Sequence, residues 1–334
     1  MEPEAPTLHR KTFFDYFPAP AFLKMSTVGL ALSDDAIRMV EFLGRAQGFK
    51  LGRHGEVALE KGVVRQGEIQ NKENLARVIR ELKTRKKLNF VKASLPEEKG
   101  YVFTVRVPNL SYEEMKSSIE FKIEENAPVK LSEVIFDFNV IPDTRESDGT
   151  VEVAVSVLPL DVVNTYVEAL HEAGVEPIAF EVESQAIARA AVSRNERGVY
   201  LIVNLNPRKA GIYIVKRGIV VFTSTASFEE YNREGHSTEM FLLREIEKTL
   251  LFWETHLGDQ VRQTEHVTSV RIVGNHPNFD SVKQVLSDEL TVPVQVSNVW
   301  VNAFSFNNYV PEIKKEDSLK FAAAIGLALP VSHE

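Results

Sequence analysis

Short apolar runs separated by polar turns dominate the first hundred residues. Two such runs flank the turn-forming Ser33-Asp34-Asp35 and predict a hairpin over residues 27–44. Residues 55–64 and 89–96 have the composition of two further strands, and a turn at Gly67 follows the first of them. This part of the chain is therefore expected to form a sheet.

One amphipathic stretch lies between these strands. Its apolar residues recur at the spacing of one helix face, at Leu75, Val78, Ile79 and Leu82. Residues 71–86 therefore predict a helix, and Asn71 is suited to cap its first turn. An order of three strands, a helix and a strand is typical of a ribonuclease-H-like α/β unit.

Residues 101–158 have a pattern of their own. They predict, in order, a strand, a helix and two strands over residues 101–108, 111–127, 133–141 and 150–158. Ser111 followed by Glu114 gives the helix a capping box. Met115, Ile119 and Ile123 form its core-facing stripe. We predict a small α/β module inserted in the first unit.

After the module the sequence predicts a helix over residues 159–173, a strand over 176–182 and a helix over 184–191. A second hairpin then begins at Gly198. Its strands alternate and turn at residues 206–209 and 217–218. The rest of the chain predicts alternating helices and strands over residues 238–256, 269–274, 277–290, 292–297 and 318–329. A hairpin followed by a helix thus occurs twice, which predicts two similar halves facing each other.

Composition narrows the possible functions of this chain. Its 334 residues carry 39 Lys and Arg against 47 Asp and Glu, a net charge of −8, which disfavours a nucleic-acid binder that needs a large basic surface. The absence of cysteine excludes disulfides, thiolate nucleophiles and iron–sulfur clusters. The longest weakly polar run, residues 321–331, is too short to span a bilayer, and no secretory signal is evident at the start. We expect a soluble, cytoplasmic protein.

The chain from about residue 13 to residue 329 resembles the PilM family of type IV pilus assembly proteins, which is related to the cell-division protein FtsA in the actin-like superfamily. The resemblance rests on the segments VGLALSDDAIRMVEF, GVVRQGEI, VPNLSYEEMKSSIEFKIEENAPVKLSEVIFDF, YVEALHEAGVEPIAFEVESQAIARA and AAAIGLAL. It implies an α/β, actin-like fold of two ribonuclease-H-like halves, with a small inserted α/β module and a shortened insertion at residues 228–238 in the second half.

The implied organisation divides the chain into four parts. They are an aromatic N-terminal segment, a first half in two pieces, the inserted module and a second half, over residues 1–25, 26–97 with 159–197, 98–158 and 198–334. The segment 1–25 is rich in Phe and Tyr and is expected either to pack on the first half or to meet a partner or a membrane interface.

The family also implies a function. The protein would be a cytoplasmic scaffold of pilus biogenesis at the inner face of the plasma membrane, held there through a partner, and it would bind no nucleic acid. That partner is a PilN-like inner-membrane protein, and other pilus assembly proteins are further candidate partners. The cytoplasmic tail of the PilN-like protein is expected to bind near residues 105–119 of this chain, through Val105, Val107, Met115 and Ile119.

In active relatives both hairpins hold a nucleotide phosphate and magnesium through an Asp-x-Gly pattern. Here those positions read Ala31-Leu32-Ser33 and Asn204-Leu205-Asn206. The exchange removes two carboxylates that suit magnesium and adds side chains where phosphate would lie close to the backbone. The departures predict weak or absent ATP hydrolysis, so the chain leans towards a non-enzyme, and they leave open whether ATP and magnesium are bound.

Other positions match the family's nucleotide site. Glu183 matches the residue that orients the attacking water. The candidate nucleotide-binding residues are those of the hairpins, a helix pair and the adenosine side: Ser33, Asp34, Asn204, Asn206, Glu245, Lys248 and Gly274.

Several of these candidates have a structural alternative. Glu183 is equally suited to cap a helix, Glu245 and Lys248 to a solvated helix face, and Asp34 and Asp35 to a hairpin turn. A working magnesium-dependent ATPase with replacement residues stays an alternative function, and a carbohydrate kinase on the same fold is a third.

Two further motifs have simpler interpretations. The spacing of Gly62 and Gly67 matches part of a P-loop, but the Lys and Ser/Thr positions are occupied by Glu68 and Ile69, so a turn is predicted. The eight histidines lack metal-binding spacing, so no metal site is predicted.

Overall fold

The computed structural model describes residues 28–44, 49–228, 237–257 and 265–330. Within them the strands are β1 (Val28–Leu32), β2 (Ala36–Leu43), β3 (Lys50–Ala58), β4 (Val64–Arg65), β5 (Glu68–Ile69), β6 (Phe90–Leu95), β7 (Tyr101–Pro108), β8 (Val134–Val140), β9 (Thr150–Pro159), β10 (Glu176–Val182), β11 (Val199–Leu205), β12 (Lys209–Lys216), β13 (Ile219–Ser227), β14 (Val267–Gly274) and β15 (Val294–Val296). The helices are α1 (Lys72–Lys86), α2 (Tyr112–Asn126), α3 (Leu160–Glu172), α4 (Glu183–Ala191), α5 (Thr238–Leu257), α6 (Phe279–Glu289), α7 (Lys315–Ser318) and α8 (Ala322–Ala328).

Two five-stranded sheets share one local arrangement. The strand orders are β10-β6-β1-β2-β3 and β13-β12-β11-β14-β15. In the first sheet β1 pairs antiparallel with β2 and parallel with β6, and in the second sheet β11 pairs antiparallel with β12 and parallel with β14. The hairpin next to a parallel strand therefore recurs, as the repeated sequence pattern predicted.

The predicted module forms a separate three-stranded sheet of order β7-β9-β8. Helix α2 covers it with Met115, Ile119 and Ile123, all buried, whereas Phe121 on the opposite face is 82% exposed. Its capping box is present, since the Ser111 N–H donates to Glu114 Oε2 at 3.1 Å. The helix bounds, the cap and the core stripe match the prediction.

Helix α8 lies tightly packed between β1 and α4. A Cβ atom on Gly29 would lie 2.1 Å from the backbone oxygen of Ala324, and one on Gly326 would lie 1.7 Å from that of Ala186. Glycine at both positions lets the backbones approach to distances that any side chain would prevent. The segment AAAIGLAL thus joins the first sheet to the interdomain helix α4.

Two predicted element bounds are wrong. The strand predicted over residues 55–64 runs instead over Lys50–Ala58, because the chain turns where Gly62 adopts a φ of +91° and then forms the short β4–β5 hairpin. The closing helix predicted over 318–329 is divided into α7, a 3-10 turn over Leu319–Phe321 and α8, since Phe321 leaves the helical region at φ −93° and ψ 4°. That break puts both Leu319 and Phe321 in the core.

Parts of two predictions fall outside the described residues. These are the aromatic segment of residues 1–25 and residues 229–236 of the shortened insertion. Among the described helices, none combines the length and the apolar character needed to cross a membrane.

Candidate functional site

The turns of the two hairpins face each other across the cleft between the sheets. The β1–β2 turn contributes Asp34, and the β11–β12 turn contributes Arg208 and Lys209. Arg208 Nη1 donates a 3.1 Å hydrogen bond to the backbone oxygen of Asp34, and Lys209 Nζ lies 3.8 Å from Asp34 Oδ1. The two halves are therefore in direct polar contact at the point where the sequence predicted phosphate binding.

Asp34 is itself held by the β4–β5 hairpin. Its carboxylate accepts the backbone N–H groups of Gln66 at 2.8 Å and of Gly67 at 3.1 Å, both of which have positive φ. Consecutive N–H groups in such a turn form an anion-binding concavity. The turn predicted at Gly62–Gly67 thus binds a carboxylate of this chain.

Three more carboxyl groups from the first half surround Lys209. Glu97 and Glu98 begin a 3-10 turn directly after β6, and Glu183 begins α4. Lys209 forms an ion pair with Glu98, while Tyr213 Oη donates to Glu97 Oε1 at 2.6 Å. Glu183 is buried beside Glu97 and close enough for the two carboxyl groups to interact. We call Asp34, Glu97, Glu98, Glu183 and Lys209 the lysine–carboxylate cluster.

Burial governs the protonation of this cluster. Removal from water raises the pKa of Glu183 well above its ordinary value, and repulsion from the carboxylate of Glu97 adds to the rise. Burial alone would lower the pKa of Lys209, but the surrounding carboxylates, Glu98 foremost, raise it well above its ordinary value. Lys209 is therefore charged at neutral pH, and Glu183 holds its proton more tightly than an exposed glutamate does. A glutamate that keeps its proton is a hydrogen-bond donor and a poor acceptor of a proton from water.

The other predicted hairpin residues serve the turns. Ser33 Oγ lies 2.8 Å from the Ala36 backbone oxygen, and the Asn206 N–H donates to the Lys209 backbone oxygen at 2.9 Å. Asn204 Nδ2 lies 3.5 Å from Tyr213 Oη, at the edge of the cluster. Gly274 has a φ of +107°, and a Cβ there would lie 2.2 Å from the Leu205 oxygen, so this glycine fits closely behind the second hairpin.

The predicted helix pair lies on a solvated surface. Glu245 and Lys248 on α5 form an i,i+3 ion pair of 2.6 Å, and the Lys248 side chain is 71% exposed. None of the contacts found among the described residues links this pair to the lysine–carboxylate cluster.

A cavity of about 330 Å³, at the lower end of the range for ligand pockets, is lined in part by Asp34, Glu97, Glu98 and Lys209. Thr223, Ser224 and Thr225 of β13 line one wall, and Arg65 and Lys99 lie at another. The described residues include no set of three or more acidic or histidine side chains arranged to hold a metal ion. Since the ammonium group of Lys209 already lies among the carboxylates, these residues do not fit a magnesium ion.

The predicted peptide-binding residues occupy the core of the module. Val107 and Ile119 are fully buried, Met115 is buried and Val105 is half-buried against the same cluster. The neighbouring surface does contain a groove, of about 530 Å³, between the module and the first sheet. Its apolar walls include Leu95, Ile135, Phe136, Leu158, Phe180 and Val182. Its borders are β8 and β10, which are edge strands.

Sequence analysis missed Glu97, Glu98, Lys209 and Tyr213. The acidic pair follows a buried strand and the lysine follows a turn, which are ordinary surface positions for charged residues. Lys209 and Glu98 are 111 positions apart, so only the fold brings them together.

Comparisons with known proteins agree with this architecture. A family model for the type IV pilus assembly protein PilM matches residues 29–228. A structure of a PilM-PilN type IV pilus biogenesis complex is 20% identical, with a TM-score of 0.74 over 91% of this chain and 98% of that chain. No curated protein matches the sequence.

Two other solved structures are more distant. The ethanolamine utilization protein EutJ from Carboxydothermus hydrogenoformans is 15% identical, with a TM-score of 0.49 over 91% of this chain and 89% of that chain. MreB5 of Spiroplasma citri bound to ADP is 10% identical, with a TM-score of 0.42 over 84% of this chain and 93% of that chain. The family match, the PilM-PilN structure and the two hairpin-bearing sheets confirm the predicted actin-like fold.

Proposed function

The chain belongs to the PilM family of type IV pilus assembly proteins, and we propose that it acts as a cytoplasmic adaptor with weak or absent ATP hydrolysis. It binds the cytoplasmic N-terminal peptide of a PilN-like inner-membrane protein and so lies at the inner face of the membrane through that partner. The groove between β8 and β10 is the observation that carries this proposal.

The groove has the features of a site for an extended peptide. Both of its borders are sheet edges, whose unpaired backbone groups can bond to an added strand. Its apolar walls supply pockets for alternate side chains, and Ile135 at one border is 48% exposed. A similar fold occurs in a PilM-PilN complex, which supports a PilN-like partner here.

Charged residues at the groove would orient the peptide. Asp137 is exposed, while Arg189 is held by the Glu181 carboxylate and donates to the Gly326 backbone oxygen at 2.8 Å. A second cavity of about 630 Å³ adjoins the groove and also includes Asp137 and Arg189. A peptide longer than the groove therefore has room to continue across the second half.

Calorimetric titration with a synthetic peptide of the partner's cytoplasmic N-terminus tests the adaptor function. We expect saturable binding to the wild type and its loss in Ile135→Asp, because a carboxylate in an apolar wall must be desolvated when the peptide binds. Phe121→Asp is the matched control, since Phe121 is an exposed apolar residue of the same module that lines neither cavity. Equal binding by both variants would contradict the groove as the site.

The hydrolysis part of the proposal rests on the lysine–carboxylate cluster. The carboxylates of the cluster already surround Lys209, which leaves little to hold magnesium, and the raised pKa of Glu183 works against ionisation of the carboxyl group that would activate water. Phosphate release from ATP, measured with and without magnesium, should stay at the level of a protein-free blank. Magnesium-dependent release that Glu183→Ala abolishes would favour a working ATPase instead.

A further inference from the structure

The two halves contribute unequally to the lysine–carboxylate cluster. All four carboxyl groups come from the first half, through the β1–β2 turn, the turn after β6 and the start of α4. The cation comes from the second half, where Lys209 opens β12 and is only 5% exposed. Opposite charges thus face each other across the cleft.

Lys209 also lies where its charge is needed. Asp34, Glu97 and Glu98 are buried or nearly so, and Glu97 Oε2 and Glu98 Oε2 lack hydrogen-bond partners among the described residues. Buried carboxylates require a counter-cation. In a nucleotide-binding member of this fold that cation would be magnesium, whereas here the chain supplies an ammonium group.

We propose that Lys209 replaces the divalent cation of the cleft and acts as an internal crosslink, so that the two halves stay closed against each other without nucleotide or metal. Two neighbouring hydrogen bonds also hold the halves together. Arg208 donates to the Asp34 backbone oxygen, and Tyr213 donates to Glu97. Each bond joins the second half to the first.

A second lysine on the same strand provides a matched control. Lys216 ends β12, is also 5% exposed, and pairs with Glu152 at 2.9 Å and with Glu265 at 2.5 Å. It therefore equals Lys209 in residue type, strand and burial, but its two partners lie on β9 of the module and in the second half, outside the lysine–carboxylate cluster. Replacing either lysine leaves buried carboxylates without their cation, and only Lys209 faces the cluster between the halves.

The distance between the halves is measurable because the chain has no cysteine. Spin labels attached through Glu73→Cys on α1 and Glu289→Cys on α6, both exposed, report on the first and second halves. We expect one narrow distance distribution by pulsed electron paramagnetic resonance, unchanged by magnesium-ATP or by a chelator. Lys209→Met should broaden it and shift it to longer distances, while Lys216→Met leaves it unchanged.

Two results would overturn the proposal. The first is a wild-type distance distribution that narrows or shifts to shorter distances when magnesium-ATP is added. This measurement needs no substitution of Lys209. The other is a folded Lys209→Met protein with the wild-type distribution. If circular dichroism shows that Lys209→Met is unfolded, Glu98→Gln replaces it, since this change removes the paired carboxylate and keeps the lysine. The measurement contains no peptide, so its outcome is independent of the adaptor function.

Discussion

Tyr213 of the second half donates a hydrogen bond of 2.6 Å to Glu97 of the first half. Both side chains are buried, so the hydroxyl group is a specific partner for a carboxylate that water does not solvate. Burial, together with the nearby carboxylate of Glu97, raises the pKa of Tyr213 well above its ordinary value, and the phenol stays a donor throughout the physiological range.

Tyr213→Phe removes this donor and leaves the ring in place. We expect a loss of about 1–3 kcal/mol in the free energy of unfolding, because a buried acceptor loses its partner. Urea denaturation measures this change. Tyr309→Phe is the control, since no hydrogen bond of the Tyr309 hydroxyl occurs among the described residues and its ring only packs on Phe304. Equal effects of the two substitutions would contradict the role of the Tyr213 bond.

Glu183→Gln tests the protonation of the cluster. Because burial raises the pKa of Glu183 in the folded protein, the folded state binds this proton more tightly than the unfolded chain does. The contribution of Glu183 to the free energy of unfolding therefore falls as pH rises above the ordinary glutamate value of 4.5, up to the raised value. The raised pKa of Lys209 adds no slope there, since its stabilisation is lost only above its ordinary value of 10.5.

A glutamine is neutral at every pH and keeps a hydrogen-bond donor. We expect the stability of Glu183→Gln relative to the wild type to increase as pH rises above the ordinary glutamate value of 4.5. Urea titrations at several pH values measure the difference. Parallel stability curves for the two proteins would show that Glu183 is ionised in the folded state.

Arg38→Met tests a buried ion pair outside the cleft. The Arg38 guanidinium pairs with Asp35 at 2.8 Å and with Glu56 at 2.9 Å, and its side chain is 5% exposed. We expect a loss of about 1–3 kcal/mol in unfolding free energy, because Asp35 loses its cation whereas Glu56 keeps its ion pair with Lys320. Arg77→Met is the control, since its pair with Glu81 is half-exposed and should be worth about 0.5 kcal/mol or less. Comparable losses would contradict this argument.

Gly326→Ala tests the packing of α8 on α4. The new methyl group would lie 1.7 Å from the Ala186 oxygen, and a backbone atom cannot turn away as a side chain can. We expect a loss of about 3 kcal/mol or failure to fold. In Gly55→Ala the new methyl group meets the flexible end of Lys86 at 3.0 Å and Leu82 at an ordinary contact distance of 3.8 Å, so the thermal midpoint should stay near that of the wild type. A stable Gly326→Ala protein would show that the helices separate easily.

Local patterns predicted most of the fold. The period of Leu75, Val78, Ile79 and Leu82 located α1, and the Ser111–Glu114 capping box located the start of α2, because both signals depend on neighbours within one or two turns. The same patterns failed at residues 59–64 and at Phe321, where contacts with distant segments determine the backbone. Leu59, for example, donates its N–H to the Asp35 oxygen at 2.8 Å.

The site was less predictable than the fold. Sequence analysis selected Asp34 and Glu183, which lie in the cluster, but it also selected Val107 and Ile119 for peptide contact although they fill the core of the module. Apolar residues on one helix face look alike whether they meet a sheet or a partner. Lys209 could not be identified from the sequence, because its role depends on carboxylates that come from three separate segments of the first half.

The position of α8 has a consequence for how this protein forms in the cell. Residues 322–328 cover β1, and the close approach at Gly29 leaves no room for a side chain there. The strand is therefore synthesised long before the helix that covers it. Contacts so far apart in sequence form slowly and leave apolar surface open to wrong associations in the meantime. Folding of the first half therefore cannot be completed before residues 322–328 have left the ribosome.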